Sequence, residues 1–391
     1  MTADPGPAGL LVHSMGTELA EPDWSPLTDR EVSTVLAGYP LTGGSDGSQA
    51  AVTWRSPRPM SAAALVRRGG STVFVKRHDP RVRTAAQLTA EHAFAARLRA
   101  GGLPVPAVLR PAAGGTSVTR DGYVYEVHET APGADLYRDA VSWSPFTSLG
   151  HARAAGAALA RLHRAAAGFG RPARPMAVLT SSCAVITAPD PIAEVARLAT
   201  ARPGLARSLA GRDWQRDLTR HLLPAIGRAA PLLAALPPRW GHGDWHPSNL
   251  TWTDGTPGAQ VAAVFDFGLA NRTYAAHDLA VALERSTISW LSLPASGRAE
   301  ADLDAAGALL DGYESVRPLG RTEAAALAEV LPVAHLEYAL SEVEYFADVV
   351  ASADDTELAY DGYLTGHAQW FTGPEGSALL DHLRRRAGRR R

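Results

Sequence analysis

Cysteine and lysine occur once each in this chain of 391 residues, as Cys183 and Lys76. A lone cysteine excludes both a disulfide framework and a thiolate metal cluster, and it fits a reducing, cytoplasmic setting. No apolar run approaches bilayer-spanning length. The opening MTADPGPAGLLVHSMGTELAEPDW has no basic segment and too short an apolar stretch for a signal peptide. Charge of one sign is not in excess either: a formal net charge of −2 argues against nucleic-acid and membrane partners for the chain as a whole. The one concentrated basic run, Arg384–Arg386 with Arg389–Arg391, closes the chain and reads as a solvated tail. What remains, 46 % hydrophobic and 20 % charged residues, is the composition of a folded chain long enough for one large domain or two lobes.

The scarcity of lysine carries information. Every other strongly basic side chain is arginine, as a GC-rich coding bias would produce, so the surviving lysine invites a chemical reason. A compact ammonium and a planar guanidinium are not equivalent at a phosphate site. The bland alternative is chance survival on a surface strand.

Residues 1–25 are Gly- and Pro-rich without periodicity and read as disordered or loosely draped. From Ala50 to His78 the chain reads as strands, QAAVTWRS, SAAALVRR and STVFVKRH, parted by turns at Pro57–Pro59 and Gly69–Gly70. Thr84 to Ala100 reads as a helix closed by Gly101–Gly102, and TSVTR and GYVYEVHE as further strands. These elements make a β-rich N-terminal lobe over residues 26–131. In APGADL, Pro132 and Gly133 break both periodicities and read as a hinge. Beyond it, residues 132–391 read as a mainly helical lobe, so the fold class is α+β. One short β-interruption, NLTW and VAAVFDF (249–267), stands inside that helical lobe.

The chemistry gathers at this interruption. Asp244 and Asn249 share a polar loop before one strand, and Asp266 ends the next. A turn between the two strands brings all three to one end of a ribbon. Mg²⁺ takes hard oxygen ligands and keeps several waters, so a carboxylate and an amide carbonyl suffice from the protein. A second carboxylate, free of the metal, can orient a hydroxyl and take its proton.

The string HGDWHPSN, with DFG at 266–268, resembles the aminoglycoside phosphotransferase and choline kinase-like superfamily, relatives of protein kinases. The resemblance covers roughly residues 40–350 and is strongest over 240–285. It implies a two-lobed protein-kinase-like fold with a catalytic loop at 240–252, and a small-molecule kinase using Mg²⁺ and ATP or GTP. By it, Asp244 is the catalytic base, and Asn249 and Asp266 are the Mg²⁺ ligands. His242 and His246 brace the loop, and Asp278, in Asp278-Leu279-Ala280, caps a helix start. Lys76 holds the α/β-phosphates, oriented by Glu91 from the next helix; a solvated helix face is the alternative for Glu91. There is no G-x-G-x-x-G. GGSDGS (43–48) comes one strand too early, which leaves Ser56 and Arg58, in the turn SPRPM, as candidates for the phosphate cover.

Other classes are weaker. His242, Asp244 and His246 have the spacing of a metallohydrolase site, but only His277 and Asp278 offer further ligands and Lys76 goes unused. A protein kinase needs a long activation segment after DFG, whereas GLANRTYAAHD runs almost directly into a helix. The partner is therefore a small hydroxylated acceptor. The segment 171–236 and the helices after the metal aspartate are expected to form its pocket. The acidic stretch Glu337–Asp361 favours a cationic acceptor such as an aminoglycoside, and a nucleoside antibiotic is equally admissible, with resistance or self-resistance as the role. Homoserine, choline or a sugar is the runner-up.

Overall fold

The computed structural model describes residues 10–13, 18–41 and 49–389; the glycine-rich stretch at 43–48 and the last two arginines lie outside the described residues. A two-stranded ribbon, β1 (Val12–His13) and β2 (Leu19–Ala20), precedes helix α1 (Asp29–Leu36). His13 N donates to Pro57 O at 2.8 Å, and the Tyr345 hydroxyl meets both the Asp23 carboxylate and the Trp24 indole. Over its described residues, the stretch expected to be loose is tied down.

The N-terminal sheet follows the predicted runs: β3 (Ala50–Arg55), β4 (Ala62–Arg68), β5 (Ser71–His78), β6 (Val118–Arg120) and β7 (Tyr123–Glu129). Its order is β3-β4-β5-β7-β6, antiparallel throughout. Because side chains alternate along a strand, the sheet has two unlike faces. Ala64, Val66, Val73, Val75, Tyr125 and Val127 pack on Val32, Val35 and Leu36 of α1. Lys76 on β5 stands opposite Glu126 on β7, on the face that looks into the cleft. Helix α2 (Ala85–Ala100) begins at the Thr84–Gln87 capping box. Its Phe94 ring lies 5.1 Å from Trp240 and 5.9 Å from Phe267, which joins the helix to the C-terminal core.

At the hinge, Gly133 adopts φ +89°, and Ala134 exchanges backbone hydrogen bonds with Trp252. A side chain at 133 would strike the Trp252 carbonyl, so glycine is needed for the two lobes to meet here. The C-terminal lobe opens with α3 (Leu149–Ala165), then α4 (Ala184–Thr187), α5 (Pro191–Ala201), α6 (Pro203–Leu209), α7 (Trp214–His221) and α8 (Leu223–Ala234). Strands β8 (Arg239–Gly241), β9 (Leu250–Trp252), β10 (Val261–Val264) and β11 (Asn271–Thr273) pair as β8 with β11 and β9 with β10. Helices α9 (Ala275–Thr287), α10 (Leu293–Ser296), α11 (Leu303–Val316), α12 (Arg321–Val330) and α13 (Leu336–Glu344) complete the body. The periodicity that runs through Pro332 is broken there by a 3-10 turn, Leu331–Val333, since proline lacks the N–H a helix requires.

Beyond α14 (Ala353–Glu357) and α15 (Gly366–Trp370), the basic C-terminus is no solvated tail up to residue 388. It forms α16 (Pro374–Gly388), buries Leu379, Leu380 and Leu383, and pairs Arg384 with Glu329 and Arg386 with Asp311 and Glu314. Among the described residues, no helix is long and apolar enough to cross a membrane.

The tightest helix contact is α3 on α11, where glycines face backbone on both sides. A Cβ on Gly156 would overlap the Leu309 carbonyl, and one on Gly312 would overlap the Arg153 carbonyl. Gly312→Ala would gain about 1 kcal/mol of helix propensity, yet it forces two packed backbones apart. The expected net result is a loss of up to about 2 kcal/mol after that offset, read as a lowered thermal midpoint. An unchanged midpoint would mean that spreading the two helices costs no more than the propensity gained.

Candidate active site

The site is assembled from three separate stretches of chain. In the β9–β10 ribbon Val264 pairs with Leu250, so Asn249, just before β9, and Asp266, just after β10, share one end. Phe265 N donates to Asn249 O at 3.2 Å. Asn249 Nδ2 donates to the Asp244 carbonyl at 2.9 Å and to Asp244 Oδ2 at 3.1 Å. Lys76 reaches in from β5, its Nζ 3.2 Å from Asp266 Oδ2. Asp266 itself has φ +58°, the left-handed region that aspartate tolerates better than most residues. Two adjoining cavities, of about 230 Å³ on the hinge side and about 200 Å³ on the helical side, share Lys76, Asn249 and Asp266 in their walls. Asp244 lines the second.

The loop is held from behind by Asp278, which is fully buried. Its carboxylate accepts the backbone N–H of His242 at 2.8 Å and of Gly243 at 2.7 Å, and His163 Nε2 lies 2.9 Å away. Burial would raise this carboxyl, but His163, His242 and the Gly243 N–H together outweigh it and the value falls to about 2. Asp278 is thus a support of the site, though not the helix cap expected from its sequence position. It lies in the first turn of α9, behind Tyr274 at the cap, and its side chain turns to the loop. His242 does brace the loop: its Nε2 lies 3.0 Å from Phe265 O, and its Nδ1 accepts Asp244 N–H at 3.2 Å. His246 Nε2 stands 3.5 Å from Asp244 Oδ1.

The charge on Asp244 is set by a residue that sequence reading missed. Arg285, on α9 and 1 % exposed, forms an ion pair with Asp244 Oδ1, its guanidinium between the rings of Trp143 and Tyr338 at 4.8 and 4.7 Å. Burial would raise the Asp244 carboxyl, but Arg285 first, then His246, hold it well below the usual range. The available signal was a Glu-Arg pair inside the apolar helix AAHDLAVALERST. Burial likewise opposes the Lys76 charge, and the Asp266 carboxylate overcomes it, so the ammonium is kept protonated.

Glu91 is where expectation and structure part. It lines the hinge-side cavity, yet its carboxylate pairs with Arg83 at 3.0 Å and with Arg174, not with Lys76. Two buried guanidinium groups claim the carboxylate because neither can be left unpaired, and Lys76 has Asp266. Arg83 and Arg174 both donate to Gly268 O. Glu91 therefore supports the backbone after Asp266. Arg174 lies far from Glu91 in sequence, so nothing local announced the contact.

Ser56 and Arg58 do overhang the cleft. Arg58 lines both cavities and reaches across to the Ala140 carbonyl at 2.8 Å. The segment 171–236 contributes only Leu179 to the helical-side cavity among the described residues; Trp143, Leu291, Tyr338 and Glu342 supply more of it. The zinc-like spacing of His242, Asp244 and His246 gathers no further ligand: His277 Nε2 faces Ala334 O at 3.1 Å, and Asp278 is engaged by the loop.

Removing Arg285 tests the electrostatics directly. In Arg285→Met the Asp244 carboxyl is expected to titrate at higher pH, followed by carboxyl-carbon NMR. Global stability should fall by about 3 kcal/mol, the low end for a broken buried pair, because Asp244 keeps some contact with solvent. An unmoved titration would show that other groups hold the charge.

A family model, the phosphotransferase enzyme family, matches residues 61–319. A homoserine kinase of Gluconacetobacter diazotrophicus is 29 % identical over 243 residues, 60 % of this chain and 65 % of that relative's own length. An aminoglycoside phosphotransferase from Alicyclobacillus acidocaldarius superposes with a TM-score of 0.52 at 18 % identity, covering 94 % of this chain and 98 % of that one. The GDP complex of aminoglycoside 2'-phosphotransferase-IIIa gives a TM-score of 0.54 at 13 % identity, covering 88 % and 99 %. The likeness to the solved structures is one of fold, two-lobed and protein-kinase-like, and the family model spans well over half of the sequence: the chain belongs to the phosphotransferase enzyme family.

Proposed function

We propose that this protein is a Mg²⁺-dependent kinase that moves the γ-phosphate of ATP or GTP onto a hydroxyl of a small, antibiotic-like acceptor, an aminoglycoside or a nucleoside antibiotic. The observation that carries the reading is the meeting of Asp244, Asn249, Asp266 and Lys76 in one cleft between the lobes. The donors suit the metal. The Asn249 amide nitrogen is spent on Asp244, which turns its oxygen free for a cation, and Asp266 adds a carboxylate, the oxygen-only set Mg²⁺ takes. When bound, Mg²⁺ would neutralise charge on the β- and γ-phosphates.

The chain's own groups do the rest. Lys76 supplies a fixed positive charge for the α/β-phosphates. The backbone of Glu126–Glu129 borders the hinge-side cavity, where a nucleobase would sit, with Ser56 and Arg58 over the phosphates. Asp244 accepts a hydrogen bond from the acceptor hydroxyl, aligns it for in-line attack and takes its proton. A carboxylate held so firmly ionised is a weak base. That suffices, because in a loose transition state the hydroxyl needs orientation more than early deprotonation.

The acceptor class is argued from Glu342. Of the acidic stretch, Glu337 meets Ser182 and the Val185 amide, while Glu344, Asp348 and Glu357 pair with Arg202, Arg207 and Arg212. Glu342 instead lines the cavity beside Asp244, with Oε2 buried and unpartnered. Burial pushes its carboxyl up to about 8, so an acceptor ammonium arriving there would restore its charge. Modification of such a compound would confer resistance. The homoserine kinase relative supports a second reading, a metabolic kinase of homoserine, choline or a sugar. Homoserine would offer its amine to Glu342 and its carboxylate to Arg58.

A coupled ADP- or GDP-release assay with Mg²⁺ tests this, using aminoglycosides, nucleoside antibiotics, homoserine, choline and simple sugars as acceptors. Acceptor-dependent release is expected, reduced by about 10²–10⁴-fold in Asp244→Ala. Turnover near wild type in that variant would remove Asp244 from its role. Silence across the panel with nucleotide still bound would reject these acceptors.

A further inference from the structure

The cleft-facing side of the N-terminal sheet carries a group that phosphoryl transfer does not use. Glu126 and His128, two residues apart, share one face of β7. His92 joins them from α2 and His78 from β5. His92 Nε2 lies 2.6 Å and His128 Nε2 3.0 Å from Glu126 Oε2, while His78 Nε2 lies 2.9 Å from Oε1. One donor atom from each of His92, His128 and Glu126 falls within 4.8 Å of the others. All three line the hinge-side cavity. His78, His92 and Glu126 are buried, and the His128 side chain is 24 % exposed.

Three imidazoles on one carboxylate exceed what balancing Glu126 requires, because Lys76 already stands opposite it in the sheet. His92 Nδ1 is buried without a partner, and its Nε2 contact with Glu126 is the hydrogen bond that orients the ring. We infer that His92, His128 and Glu126 form a binding site for one imidazole-preferring divalent transition-metal ion, of the Zn²⁺ class, in the wall of the nucleotide cavity.

Two nitrogens and one carboxylate oxygen are the donors of zinc sites that keep a coordination position open. Bonds of about 2.0–2.1 Å at tetrahedral angles place such donors roughly 3.3 Å apart. The two imidazole nitrogens therefore need to withdraw from the carboxylate oxygen by well under 1 Å. His78 plays the supporting part, holding the carboxylate oxygen that does not bind the ion, as groups behind metal ligands commonly do. The open position looks into the cavity. The site is chemically distinct from Asn249 and Asp266, whose oxygens suit Mg²⁺ and offer no imidazole. Lys76 and Arg83 face the group as positive charges, and Glu91 and Asp266 offset them.

The test is a Co²⁺ titration of the full chain, stripped with chelator and carrying no histidine tag, followed by visible absorption. One equivalent is expected to give the strong bands of four- or five-coordinate Co²⁺, and Zn²⁺ should erase them. His92→Ala and His128→Ala should each abolish the bands, with circular dichroism reporting the fold. Since His128 is partly exposed, its variant decides alone if His92→Ala does not fold. His78→Phe should weaken binding by about 10–100-fold, and the uncharged change Asn249→Ala should leave the bands intact. Only the weak bands of hydrated Co²⁺ in the wild type would overturn the inference. So would bands that survive both histidine variants, or bands lost in Asn249→Ala.

Discussion

The buried carboxylate of Asp278 is the constraint on which the loop from His242 to Asn249 depends. A carboxylate with no exposure must be compensated in full. Here two backbone N–H groups of the loop and one imidazole do so. Hydrogen bonds to a charged group contribute about 1.5–3 kcal/mol each, so the loop cannot leave without stranding the charge. His163 also contacts the Tyr313 hydroxyl at 2.7 Å, which extends the hold from α9 through α3 to α11. The glycine-faced contact between α3 and α11 is thereby tied to the position of Asp244.

A second theme is the use of arginine for holding and lysine for reaching. Arg285 fixes Asp244 from the helical lobe. Arg83 and Arg174 fix the backbone behind Asp266 and share Glu91 between them. Arg83 and Arg174 bond in several directions, and Arg285 is clamped between two aromatic rings, which suits a rigid bracket. Lys76 makes a single ion pair with Asp266. Under the proposed function, a point charge on a flexible stem exchanges that contact for phosphate oxygens, which a bracketed guanidinium would not do.

Much of this was legible in the chain. The β5 lysine, the loop from His242 to Asn249 and the strand ending at Asp266 carried the fold and the placement of four groups, because strand alternation and a two-strand turn are local rules. Helix α1 escaped notice although Thr28 and Glu31 form its capping box. The roles of Arg174 and Arg285 were not legible, nor was the way Asp278 supports the loop, since each acts across 35 or more residues. The Lys76–Glu91 pairing failed because two arginines outcompete lysine for Glu91, Arg83 from just before the same helix and Arg174 from a distant segment.

The central claim is that the cleft binds nucleotide through a metal held by Asn249 and Asp266. Isothermal titration of a non-hydrolysable ATP analogue, with and without Mg²⁺, tests it most directly in the wild type and in Asp266→Asn. The account predicts binding strengthened by Mg²⁺ in the wild type and a Mg²⁺ effect lost in the variant. Binding of equal strength in all four titrations, or no binding in any, would contradict it.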